Sequence, residues 1–263
     1  MGMDWAVDLP ERIRSHVSDY AAEEIQIGES GAKVLRLTRA EKPNLYLKIE
    51  CGGSGIAEAE NRVMQWLQGK IRVPEVLQYV RSGGAQYLLM TEVEGLPSYD
   101  PRLRKDISRL IAALARGLRE FHQVNAQGCP FHVDINRLLQ QAEKRVAVGL
   151  IDVDGLTRNE PGRTPNGLLQ ELQQLIPPQG ETVVTHGDFC LPNLLMKEGA
   201  VSGFIDLGDV AIADPYVDLV AMKFSLRLNR FDGDWFAEFV RDYGISELDE
   251  DRLRFYELLR ILA

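Results

Sequence analysis

Apolar positions alternate with polar ones through the first third of the chain and recur at helical spacing through the rest. Residues 10–20 predict a short helix with Pro10 in its first turn. Short apolar segments then flank Gly28-Glu29-Ser30-Gly31, which reads as strand, turn, strand. In the next strand Leu45, Leu47 and Ile49 share one face, while Tyr46 and Lys48 share the other. Residues 55–69 are helical, with Ile56, Val63, Met64 and Leu67 on one stripe. At roughly 100° per residue, Glu60 falls inside that stripe and Glu58 on the opposite side. A strand from Val73, a turn at Ser82-Gly83-Gly84 and a returning strand from Gln86 complete an antiparallel sheet with one packed helix.

The pattern changes after Glu94-Gly95, where a hinge between two lobes is expected. A helix is predicted from Asp100-Pro101 to about Val124, with Ile107, Leu110, Ile111, Leu114 and Leu118 at core spacing. Residues 134–149 predict a second helix. Residues 152–166, rich in Asp, Gly and Pro, predict a loop or partial lid. A helix over 168–176 stops at Pro177-Pro178. An apolar run then reaches His186-Gly187-Asp188, followed by a hairpin of residues 194–196 and 201–205. Helices are predicted from Asp214-Pro215 to Leu228, over 235–243, and from Ser246 onward, where acidic residues suit the helix dipole. The fold class expected is α+β and bilobal: a sheet lobe over 1–94 and a mainly helical lobe over 95–263.

The chain of 263 residues is long enough for one or two domains. It shows no apolar run of the roughly 18–20 residues a membrane span needs, and no signal peptide. Three scattered cysteines, Cys51, Cys129 and Cys190, have no metal-ligand spacing and fit reduced thiols in a cytoplasm. A net charge of −9 argues against nucleic-acid binding and is compatible with a cationic substrate. No membrane partner is expected, and the assembly expected is a monomer or weak dimer.

Chemistry concentrates between Val183 and Asp206. One carboxylate, Asp188, precedes the hairpin. The amide Asn193 stands at its entry and the carboxylate Asp206 at its exit, so the three polar ends can converge at one edge. Oxygen donors of this kind suit Mg²⁺. Protein-kinase-like enzymes carry H-R-D-x-x-x-x-N and then D-F-G. Here His186-Gly187-Asp188 with Asn193 is followed by Asp206-Leu207-Gly208. A carboxylate on a buried helix face needs a partner. Lys48 on the preceding strand is the natural one for Glu60, and a kinase fold uses such a pair at the α- and β-phosphates. In that architecture adenine would meet backbone groups near Thr91 and Val93. Cys190 reads as a packing residue rather than a nucleophile, and His122 as structural. Asp218 is placed to brace the loop.

His186-Gly187-Asp188 with Asn193, Gly203-Phe-Ile-Asp206-Leu-Gly and Ala213-Asp214-Pro-Tyr-x-Asp218 resemble the aminoglycoside phosphotransferases, most closely the 3′-phosphotransferases. Leu45-Tyr-Leu-Lys48, Val73-Pro-x-Val and Phe255-Tyr-x-Leu-Leu extend the likeness over nearly the whole chain. The resemblance implies a protein-kinase-like fold and transfer of the γ-phosphate of ATP, or GTP, to a hydroxyl of an antibiotic. It implies that Lys48 holds the triphosphate, Glu60 positions Lys48, and Ser30 lies in the loop over the phosphates. It further implies that Asp188 orients the acceptor hydroxyl, and that Asn193 and Asp206 bind Mg²⁺. Two departures stand out. The family often has Arg where this chain has Asp209. It often ends in two acids that bind the antibiotic's ammonium groups, where this chain has Arg260 and Ile261. The remaining candidates for an ammonium are Asp152, Asp154, Glu160, Asp232, Asp234, Glu257 and the Ala263 carboxylate. A kinase of the same fold acting on another small alcohol, and a nucleotide-binding protein without catalysis, are the competing readings.

Overall fold

Leu35, Leu37, Leu45, Leu47 and Leu89 form the apolar face of a five-stranded sheet, packed with Ile13 and Val17 of a short helix. The structure is a computed structural model and describes residues 8–25, 32–53, 55–152, 156, 160–231 and 233–263. Ser30 and its turn, Asp154 and Asp232 lie outside the described residues. The chain divides into two compact units, Met1–Lys105 with Gln127–Pro130 and Pro192–Val210, and Asp106–Ala126 with Phe131–Leu191 and Ala211–Ala263.

In the first unit α1 (Glu11–Val17) precedes β1 (Ala21–Ile25), β2 (Lys33–Thr38), β3 (Leu45–Cys51), α2 (Ile56–Leu67), β4 (Val76–Ser82) and β5 (Ala85–Thr91). The sheet is antiparallel throughout, in the order β1-β2-β3-β5-β4. α1 covers the leucine face. The other face of β3 carries Tyr46, Lys48 and Glu50, registered against Met90, Leu88 and Gln86 of β5. Alternation makes this face possible, and α2 makes it dry: Lys48 and Glu50 are both buried. Glu50 serves α2 directly, accepting the N–H groups of Gly55 at 3.0 Å and Ala57 at 2.7 Å. A carboxylate at a helix N-terminus satisfies donors that the helix itself cannot. The sheet therefore carries a helix on each side.

The predicted hairpin forms within the same unit. β8 (Leu194–Lys197) pairs with β9 (Ala200–Phe204), and β6 (Leu96–Pro97) adds an edge to β8. Glu198 and Gly199, both at positive φ, make the turn. Gly203 lies where a Cβ would come within 2.5 Å of the Val93 side chain and 3.0 Å of the Arg72 carbonyl oxygen. Glycine is required there by close approach.

The second unit contains α3 (Ile107–His122), α4 (Ile135–Ala147), α5 (Pro165–Gln174), α6 (Tyr216–Leu228), α7 (Trp235–Tyr243) and α8 (Glu250–Leu262). A two-stranded ribbon of β7 (Val183–Thr185) and β10 (Ala211–Ala213) joins them. Two helices start later than the sequence predicts. Residues Pro101–Lys105 form a 3-10 turn in which Asp100 pairs with Arg102 at 2.6 Å. α3 then begins afresh because the Asp106 side chain accepts the Arg109 N–H at 3.0 Å. Likewise α8 begins at Glu250 because Asp249 caps it through the Arg252 N–H at 2.9 Å. In both cases an acid further along the chain takes the N-cap, Asp106 in place of Asp100 and Asp249 in place of Ser246. No helix among the described residues is long and apolar enough to cross a membrane.

Candidate active site

Lys48, Glu60 and Asp206 come together in the first unit. Lys48 Nζ donates to Glu60 Oε2 at 2.8 Å and to Asp206 Oδ1 at 3.2 Å. Glu60 also accepts the Leu207 N–H at 3.3 Å, so α2 is tied to the residue after Asp206. Burying the Glu60 charge is costly, and these two donors offset that cost. Burial would lower the Lys48 ammonium's pKa, but the Glu60 and Asp206 carboxylates outweigh it and hold the pKa above the usual lysine value. Asp206 itself is exposed and sits at φ 58°, a left-handed conformation uncommon for a residue other than glycine. Such backbone is maintained where surrounding bonds over-determine it, often at functional sites.

The hairpin register brings Asn193 beside this position. Leu194 pairs with Phe204, and the Ile205 N–H donates to the Asn193 carbonyl at 3.0 Å. Asn193 is buried. Asn193 and Asp206 together offer an amide oxygen and a carboxylate. Among the described residues no group of three or more His, Cys, Asp or Glu is arranged to hold a metal ion. Mg²⁺ is commonly bound by one or two carboxylates together with substrate phosphates and water, and this donor set fits that habit. Thr91 ends β5, and its N–H donates to the Glu75 carbonyl at 3.0 Å. Val93 lines an open groove of about 610 Å³ with Arg72, Glu94, Lys197 and Ser202. Lys48, Glu60 and Asp206 do not line that groove, so it is separate from the charged set.

In the second unit the His186-Gly187-Asp188 turn is built on α6. Asp218, fully buried, accepts the His186 N–H at 2.7 Å, the Gly187 N–H at 2.8 Å and His122 Nε2 at 2.9 Å. One helical turn on, the Cys190 sulfur lies 3.6 Å from the Ala221 carbonyl oxygen, and a turn further Ser225 Oγ accepts the Leu191 N–H at 2.9 Å. Spacing of three and four residues puts 218, 221 and 225 on one helix face. Gly187 turns the chain at φ 84°. His122 is structural: with Nε2–H donated to Asp218, its Nδ1 accepts the Tyr243 O–H at 2.8 Å. Burial, with the Asp218 charge close by, pushes the Tyr243 phenol up to about 12.

Asp188 is half-buried. The Cys190 thiol donates to its Oδ1 at 3.0 Å and Arg260 Nη2 donates to the same oxygen at 2.9 Å. Burial works against the Asp188 charge. The thiol and the guanidinium overcome it and hold the carboxyl below its usual range. Burial and the Asp188 charge push the Cys190 thiol up, so Cys190 is a proton donor in a hydrogen bond and not a thiolate nucleophile.

The acids considered for an ammonium partner are largely engaged. Glu160 accepts from Arg254 at 2.6 and 3.0 Å. Glu257 pairs with Lys223 at 2.6 Å and with Arg254 at 3.6 Å. Asp234 caps α7. The Ala263 carbonyl accepts from Gln141 at 2.9 Å. Asp152 is exposed. Sequence reasoning did not anticipate the Arg260–Asp188 pair or the Arg254 cluster. Their partners lie 72 and 94 residues apart, and no short-range pattern links them.

A model of the phosphotransferase enzyme family matches residues 21–256. An aminoglycoside 3′-phosphotransferase from Escherichia coli is 33% identical over 261 residues, covering 97% of this chain and 94% of its own. One from Niallia circulans is 32% identical over 232 residues, covering 88% of each. Among solved structures, an aminoglycoside-3′-phosphotransferase of type VIII superposes with a TM-score of 0.79 at 29% identity, over 95% of this chain and 96% of that one. The aminoglycoside phosphotransferase APH(3″)-Id from Streptomyces rimosus, solved with ADP and streptomycin, gives 0.74 at 31% identity over 95% of each chain. The kinase-like α+β fold expected from the sequence is the fold of these proteins.

Proposed function

The chain belongs to the phosphotransferase enzyme family, and on that footing we propose that it moves the γ-phosphate of a nucleoside triphosphate to a hydroxyl of an aminoglycoside. The observation that carries the nucleotide half is the buried Lys48–Glu60 pair with Asp206 at 3.2 Å. An ammonium has three donors. Two serve Glu60 and Asp206, and the third can serve a phosphate oxygen. Asn193 and Asp206 would hold Mg²⁺, which when bound neutralises phosphate charge. Thr91 and Val93 mark the segment expected to meet the base, Val93 through its backbone, since the Thr91 N–H is already donated to Glu75. The acceptor half rests on Asp188, held ionised on a turn that Asp218 fixes. An ionised carboxylate accepts the hydroxyl hydrogen and aims the oxygen lone pair at the γ-phosphorus. The phosphorus–oxygen bond to the acceptor forms as the bond to the nucleoside diphosphate breaks. Catalysis of this kind is mainly positioning and charge stabilisation.

ATP consumption with Mg²⁺ across kanamycin, neomycin, streptomycin, a macrolide, choline and simple sugars tests the reading. Turnover is expected with kanamycin or neomycin, and Asp188→Ala should lose it while still binding ATP. Saturable ATP binding without turnover of any aminoglycoside refutes the acceptor assignment. A second reading, another small alcohol as acceptor, is favoured by one observation: the cation Arg260 stands on Asp188.

A further inference from the structure

Any hydroxyl that Asp188 orients must dock beside Arg260. We propose that Arg260 sets the class of acceptor, selecting compounds that present oxygen, neutral or anionic, rather than ammonium next to the hydroxyl that is phosphorylated. This deepens the reading above and rests on its assignment of Asp188.

The geometry is specific. Arg260 Nη2 lies 2.9 Å from Asp188 Oδ1 and 3.7 Å from Cys190 Sγ. The guanidinium carbon lies 6.0 Å from the Phe224 ring centre. The side chain is 37% exposed, so it is not a sealed core pair. A guanidinium offers five N–H donors in a fixed fork and no acceptor. A hydroxyl within hydrogen-bond reach of Asp188 stands about 5–6 Å from that fork. Groups beside the hydroxyl therefore meet donors, which oxygen atoms can satisfy and ammonium groups cannot.

Nearby carboxylates do not reverse the preference. Glu257, one turn before Arg260 on α8, is matched by Lys223 at 2.6 Å. Glu160 and Glu171 share Arg254, and Arg163 adds a second cation to Glu171. A substrate ammonium would face the Arg260 charge and compete with a resident cation for each of these acids. Asp188 carries the opposite charge, so Arg260 cancels the attraction that the carboxylate alone would hold out to an ammonium, and what a neighbouring group then meets is the donor fork. The loss of that attraction at about 6 Å is worth roughly tenfold in affinity.

Matched aminoglycosides isolate the effect. Kanamycin A and kanamycin B carry a hydroxyl and an amine, respectively, at the 2′ position. Paromomycin and neomycin carry a hydroxyl and an amine at 6′. In both pairs the change is on the ring that bears the 3′-hydroxyl, on the adjoining carbon in the kanamycins and on the far side of the ring in paromomycin and neomycin, so the kanamycin pair is the closer probe. The wild type should favour the hydroxyl member of at least one pair by about tenfold in kcat/KM. Arg260→Gln should bring that ratio near one, Arg260→Asp should invert it, and Arg260→Lys should keep its sign. The wild-type ratios decide the matter even where a variant folds poorly. Turnover of both pairs with ratios within about twofold of one overturns this inference alone. Turnover of none of the four, with ATP still bound, overturns the aminoglycoside reading and this inference with it.

Discussion

Asp218→Asn is the most informative single change in the second unit. The carboxylate takes three donors: Oδ2 serves the His186 N–H and His122 Nε2, and Oδ1 serves the Gly187 N–H. An asparagine has one oxygen and one NH₂ group. With its oxygen on the Oδ1 side, Gly187 is satisfied and the NH₂ faces the His186 N–H. His122 could then change tautomer and accept, but the backbone N–H could not. With the oxygen on the Oδ2 side, the Gly187 N–H is the orphan instead. Either way one buried backbone donor confronts another donor. The penalty is about 1–3 kcal/mol for that orphan, plus the loss of charge from the remaining bonds. A total of about 2–4 kcal/mol follows, which for a chain of this size corresponds to a fall in Tm of roughly 5–15 °C. The same displacement tilts the turn that carries Asp188, so kcat should fall about a hundredfold while the KM for ATP, a property of the first unit, changes little. Thermal unfolding and steady-state kinetics read both quantities. Tyr243→Phe, made in both backgrounds, should couple to Asp218→Asn through His122 by about 0.5–3 kcal/mol. An Asp218→Asn protein that melts within about 1 °C of wild type with unchanged kcat would show that Asp218 does not hold the turn.

Other expectations follow from the same contacts. Glu60→Gln leaves Lys48 with Asp206 alone, so the KM for ATP should rise at least tenfold and stability should drop by about 3 kcal/mol, measured by urea unfolding. Glu50→Gln removes the charge that accepts two N–H groups at the start of α2 and should cost about 1–2 kcal/mol in the same assay. The depressed Asp188 carboxyl gives a pH prediction with a definite sign. A carboxyl whose folded pKa lies below its unfolded one adds stability that is present above the unfolded value and lost as pH falls through the folded one. Wild-type kcat/KM should therefore show no acid limb from Asp188 between about pH 5 and 7. Arg260→Leu removes one of the groups that depress it, so an acid limb should enter at higher pH. A profile unchanged by that substitution would show that Arg260 does not act on Asp188.

The contrast between Glu60 and Arg260 shows where sequence information ends. Glu60 was legible because helical geometry forces a carboxylate into an apolar stripe, and only a nearby cation can answer it. The hairpin was legible because two short apolar runs around a tight turn have few other uses, and its register carries Asn193 to the neighbour of Asp206. Arg260 was seen as a departure from a resemblance, but its contact with Asp188 depends on how α8 lies against the 186–191 turn. Glu160 and Glu257 stood as candidates for a substrate ammonium for the same reason. Arg254 of α8 reaches Glu160 in the 156–171 segment, and Lys223 of α6 reaches Glu257 on α8, and the apolar pattern alone does not orient those helix faces against their partners. The late starts of α3 and α8 are a different failure. Two polar residues compete as N-caps in each case, Asp100 with Asp106 and Ser246 with Asp249, and the helix starts at the later one, whose side chain accepts the N–H three residues on.

The segment Pro192–Val210 belongs to the first unit although its flanks in the chain belong to the second. This has a consequence for synthesis. A ribosome making this chain releases Lys48 and Glu60 early, yet Asp206 and the Leu207 N–H that share their charges follow only after about 100 further residues beyond Lys105. At about 5–20 residues per second, that is a wait of roughly 5–20 s. Through that interval the sheet must stand with its ion pair short of two partners, and any fragment cut near residue 105 would keep the lysine and glutamate without the carboxylate assigned to the metal.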